Sequence, residues 1–341
     1  MSRTRWQPAV WGLASVWGVA EAGLGGVMHG LKLPFTGLTV GGVAVAVLIV
    51  LAAHERGLYG TSPSSKRSTR LLLEVTATIL LIKALASPHS PVTAYVAVAF
   101  QGALAALLFR IIPAFRWAAV LFALLAMIES ATQKLLMMVL VYGHAFIDAL
   151  DALTGYASGQ IAATGLHLPL SSSLLLGLFL ALYSGWGLLL GATVGRWPER
   201  AQTLGAELAV AWRNSKFEEP AEVADRKKRR GGWGVLFGLI AVLAAAGAGW
   251  NELGWLVVRT IVITGLLFWG VGPLVRWAVE RRASAARRGL ALQLIATFSE
   301  QRKRFQWAFL RARRLHPVWR MPLVGLEHWI LLNLVLPPDA D

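Results

Sequence analysis

The chain has 341 residues, 56% of them hydrophobic and only 15% charged, with a formal net charge of +15. That composition is too apolar for an ordinary soluble domain and points to an integral membrane protein. The absence of cysteine excludes disulfides, thiolate nucleophiles and cysteine-held zinc or iron–sulfur clusters.

In chain order, Arg3 and Arg5 precede an apolar run over 8–29. The triplet AEA at 20–22 loosely resembles a signal-peptidase site, but the apolar run continues to Met28, which favours a retained first helix. Along this run Ala14, Gly18, Ala22 and Gly26 recur every four residues. Such a stripe lets another helix approach closely, either from a partner subunit or from within the chain. Further spans are expected at 33–53, 71–87, 91–110, 117–141 and 172–195, all near the roughly 20 residues a bilayer core requires. His29, Lys32 and Pro34, the SPHSP turn at 87–91, and a long segment over 143–170 connect them on one side. The last carries Asp148, Asp151, Tyr156 and His167, and its length fits a lid.

Beyond residue 195 the composition changes. A basic cytoplasmic linker over 196–232 ends in DRKKRRGG, and two more spans are expected at 233–250 and 254–275. Leu290, Leu294, Phe298, Phe305 and Phe309 then recur at heptad-like spacing, which predicts one amphipathic cytoplasmic helix. The closing run at 321–336 contains Glu327 and His328, is short for a span, and fits an interfacial or re-entrant segment. The expected fold is an all-α polytopic bundle. A six-helix unit over 1–195 leads through the linker to a two-span domain over 233–341.

The basic residues orient this bundle. With the N-terminus in the cytoplasm, three of the 33 lie within spans and only Lys32 falls outside. The positive charge therefore reports insertion into a bacterial-type cytoplasmic (inner) membrane and contact with its lipids rather than nucleic acid. Fifteen tryptophans fit interfacial anchoring.

The spans carry groups that hydrocarbon does not solvate. Glu21, Lys83 and Glu129 each lie 12 or 13 residues into a span from the cytoplasmic side, about 18–20 Å deep at 1.5 Å per residue. Gln133 and Lys134 sit one turn further, and Gln101 reaches a similar depth from the other side. Ionisable groups at such depth face a bundle interior or a water-filled cavity. Glu129 and Lys134 are five positions apart and leave the helix on different sides, so partners come from neighbouring helices, with Lys83–Glu129 the first pairing expected. One reading is a set of structural ion pairs. The other is an outward-facing pocket for a small polar solute, with Trp17 or Tyr95 stacking on a ring.

No HExxH or HxxxH spacing, nucleophile–base constellation or GxxxxGK[ST] loop is present. We therefore expect no metal, no cofactor, no enzymatic activity and no intrinsic motor.

The segments VWGVAEAGLGGVMHGLKLPFTG and LLIKALASPHSPVTAYVAVAFQGALAALLF, with the six-helix count and the inside N-terminus, resemble the S component of energy-coupling-factor (ECF) vitamin transporters. The resemblance covers residues 1–195. It implies an outward pocket for a vitamin or precursor, a coupling membrane subunit and two ABC-type ATPases as partners. It further implies ligand-binding roles for the polar set, and a coupling-subunit contact for the stripe from Ala14 to Gly26. The C-terminal part departs from that pattern. The alternative is a structural or accessory subunit of a larger membrane complex, whose polar residues serve helix packing.

Overall fold

The computed structural model describes residues 6–25, 36–59, 69–87, 90–162, 170–199, 201–215, 262 and 271–336. All regular structure among them is helical. The helices are α1 (Pro8–Val19), α2 (Thr36–Glu55), α3 (Arg70–Ala86), α4 (Val92–Ile111), α5 (Phe115–Tyr142) and α6 (His144–Ala162). They continue with α7 (Ser172–Val194), α8 (Ala201–Arg213), α9 (Gly272–Arg282), α10 (Ala285–Ala296), α11 (Phe298–Leu315) and α12 (Met321–Val335). The six helices expected up to residue 195 correspond to α1–α5 and α7. The spans expected at 233–250 and 254–275 lie almost wholly outside the described residues.

Four described helices are long and apolar enough to cross a membrane: Gly37–Glu55, Val92–Ile111, Phe115–Tyr142 and Ser172–Glu199. The first is the central one, buried along nearly its whole length from Val40 to Ala53. Its hydrophobicity is not confined to one face because α1, α4, α5 and α7 all pack around it. At its end Gly57, at φ 72°, turns the chain, a backbone region open to glycine. Arg56 then reaches across to donate to the carbonyls of Phe109, Ile112 and Pro113. A cation there satisfies the orphan carbonyls at the end of α4 and complements its dipole.

The most extensive pairing joins α5 to α7. It rests on Gly187 and Gly191, where an added Cβ would stand 2.7 Å from the Ala123 carbonyl and 2.5 Å from Val120 Cα. Ala119 and Ala123 supply the small face opposite, so two backbones meet directly.

The described residues after 195 form no separate layer. Helices α9 and α10 pack on α3, while α10, α11 and α12 pack on α1. The single amphipathic helix expected from the Leu/Phe spacing is broken at Thr297 into α10 and α11. Its apolar edge points into the bundle: Phe298 lies against Gly18 in α1. Helix α12, expected as an interfacial or re-entrant segment, is packed among other helices of the chain. It is buried continuously from Gly325 to Asn333 between α11, α8 and α1. Helix α8 lies in the stretch read as linker, and α6 occupies most of the expected lid loop. Burial and polarity explain the misreadings: α12 is apolar because helices surround it, and α8 is half polar because one face is exposed.

Candidate functional site

Five elements converge near the α3–α4 turn. Beyond Val19 the first helix changes into a π-helical turn, Ala20–Leu24, closed by a Gly25 N–H to Ala20 carbonyl bond. The wider turn shifts the register of everything on it, a device common at functional sites, and it carries Glu21. Glu21 Oε2 accepts from Lys83 Nζ at 2.5 Å, with both side chains at most 6% exposed. The Trp17 indole N–H donates to the other carboxylate oxygen at 3.4 Å.

Beside this pair is a cavity of about 130 Å³, lined by Glu21, Lys83, Gln101, Ser130, Gln133 and Lys134 among its polar residues. Gly37, Val40 and Gly41 of α2 form one wall, and Thr93, Ala94, Ala97 and Val98 of α4 another. Gln133 donates to the Thr93 carbonyl at 3.0 Å, which ties α5 to α4 at the cavity edge. Lys134 sits 5.8 Å from the centre of the Tyr183 ring and forms no ion pair among the described residues. The Gln101 amide and the Ser130 hydroxyl form no hydrogen bond among the described residues, although both residues are buried.

Five of the expected site residues therefore meet: Glu21, Lys83, Gln101, Gln133 and Lys134. Three stand apart. Glu129 does not line the cavity; it is half-buried on another side of α5, with its Oε2 buried and unpartnered among the described residues. The expected Lys83–Glu129 pairing is replaced by Lys83–Glu21, because the π turn swings Glu21 towards α3. Trp17 is fully buried beneath the ion pair and holds its carboxylate rather than facing a guest. Tyr95 is buried away from the cavity. Arg276 and Glu280 on α9, themselves paired at 2.7 Å, are near enough to act on it electrostatically.

The small-residue stripe is occupied within the chain. Ala14 is fully buried, Ala22 packs on the core, and a Cβ on Gly18 would lie 3.3 Å from Ile82 and 3.5 Å from Phe298. Gly26 lies outside the described residues. Sequence reasoning missed Ser130, which shares the α5 face of Gln133 and Lys134 at i+3 and i+4 and was findable on that ground. It also missed Gly37 and Gly41, whose role depends on what packs opposite: a Cβ on Gly37 would fall 2.5 Å from Ser130 Oγ.

No family model matches the sequence, and no curated protein or solved structure is found to be significantly similar to it.

Proposed function

We propose that this membrane protein binds a small polar solute in the cavity between the Glu21–Lys83 pair and Lys134, and moves it with a separate energising partner. The supporting observation is unspent hydrogen-bonding capacity around an open space. The amide of buried Gln101, the hydroxyl of buried Ser130 and the ammonium of half-buried Lys134 border this space without protein partners among the described residues, and a guest that bonds to them satisfies groups otherwise left to water. A volume of about 130 Å³ is close to that of an engineered cavity that holds benzene, roughly 150 Å³. It is well below the approximately 300–1,000 Å³ of drug-sized sites. The solute is therefore small, and an intact vitamin requires the helices to part. The S-component resemblance supports uptake from outside with ABC-type ATPases as the motor, because the sequence carries no P-loop. In this reading the chain does no chemistry of its own.

Gln101→Leu tests the proposal. It removes an unpartnered buried amide, so ligand-free thermal stability holds or rises. A small molecule co-purifying with the wild type, seen by native mass spectrometry, should be lost from the variant. The second reading, a structural subunit, draws on the sealed Glu21–Lys83 pair. It requires that Gln101→Leu lower stability and that no guest be present.

A further inference from the structure

Behind the cavity wall lies a group that the solute-binding reading does not yet use. Tyr183 of α7 is fully buried, and its hydroxyl has no hydrogen-bond partner among the described residues. The hydroxyl lies 3.4 Å from the point where a Cβ on Gly37 would stand. Ser130 Oγ lies 2.5 Å from that same point. Gly37 is thus packed directly against both hydroxyls, and of these residues Gly37 and Ser130 line the cavity while Tyr183 stands behind them. Lys134 sits over the ring of the same tyrosine. One end of the cavity therefore gathers the Ser130 hydroxyl and the Lys134 ammonium, with Tyr183 behind them.

The charge balance points the same way. Glu21 and Lys83 cancel, and Glu129 lies outside the cavity, so Lys134 is the surplus charge at the site. Charge-assisted hydrogen bonds from an ammonium and a hydroxyl select an anionic oxygen acceptor. The opposite wall of Val40, Ala94, Ala97 and Val98 is apolar and suits a short alkyl chain.

We propose that the cavity takes a short-chain monocarboxylate, its carboxylate held by Lys134 and Ser130 and its alkyl end against α4. The proposal rests on the reading of this cavity as the solute site. Gly37 acts as its gauge: an alanine methyl there would stand 2.5 Å from Ser130 Oγ and push that hydroxyl out of place.

The test uses the full chain in nanodiscs at pH 7 and measures binding of acetate, propionate and butyrate against their amides. Carboxylates should bind at least tenfold more tightly than the matching amides. Ser130→Ala should weaken carboxylate binding about tenfold, the scale of one hydrogen bond to a charged group, while leaving ligand-free stability unchanged or higher. Lys134→Met should abolish the preference for carboxylate, and Gly37→Ala should exclude butyrate before acetate. If amides bind as well as carboxylates, or Ser130→Ala leaves carboxylate affinity intact, the anion pole is wrong and the solute cavity stands. If neither series binds to the wild type, both proposals fall.

Discussion

Removing the ammonium of Lys83 leaves the Glu21 carboxylate buried with only the Trp17 N–H as a hydrogen-bond donor. Breaking a buried pair from one side costs about 3–5 kcal/mol, whereas replacing both members by apolar groups of similar size is often neutral. Lys83→Met should therefore collapse the unfolding midpoint in detergent, and the double variant Glu21→Leu with Lys83→Met should recover most of it. A double variant as unstable as the single one would show that the pair has a role beyond mutual neutralisation. At this scale the sequence made much legible. Glu21, Lys83, Gln101, Gln133 and Lys134 stood out because ionisable and amide groups are out of place in apolar runs, and equal depth follows from counting residues. Which carboxylate met Lys83 was not legible. That depended on a π turn of Ala20–Leu24, and no residue type in AEAGL announces one.

Helices behave as units where their contacts are concentrated. Gly187→Leu forces a side chain into the Ala123 carbonyl, 2.7 Å from the first added carbon. It should cost more than the 1–3 kcal/mol typical of overpacking, because the obstacle is backbone. Gly177→Leu, with open space around it on the same helix, should change the midpoint little, and the difference between the two is the measurement. Helix α12 carries a second device. A network of Gln301, Arg304 and Asn333 links it to α11 and to Ser15 of α1, with Gln301 Nε2 2.6 Å from Ser15 Oγ and 2.7 Å from Asn333 Oδ1. Next to it His328 is pushed down to about 4 by burial and by the positive charges of Arg311 and His316. Above pH 6.5 the imidazole is neutral both folded and unfolded, so it adds no pH dependence. Between pH 6.5 and about 4 the unfolded chain binds a proton that the folded chain refuses, so stability falls across that window. His328→Gln should flatten this part of the stability–pH curve, read by thermal unfolding at fixed ionic strength.

Across the whole molecule, the helices after residue 195 cover α1 and α3 rather than hanging below a finished bundle. A chain ending at residue 215 loses the partners of Ser15 and Gly18 and should elute as aggregate on size exclusion, in contrast to the full chain. The absence of cysteine makes membrane orientation directly measurable. In right-side-out vesicles an impermeant maleimide should label Ala86→Cys and spare Ala114→Cys, both exposed at opposite ends of the α3–α4 hairpin. The reverse pattern would invert the topology read from arginine and lysine.

The sequence by itself determined that the chain is helical, with helices apolar and long enough to cross a membrane, and which polar groups lie at similar distances along them. Those properties follow from hydrophobicity and the fixed rise of a helix, both local. Only tertiary structure decided which side chains face each other. Facing depends on the rotation of each helix about its axis, and that rotation is set by steric contacts such as Gly187 on Ala123 or Phe298 on Gly18. It also decided that the apolar α12 is interior to protein rather than lipid, because hydrocarbon and a packed protein core select the same residues.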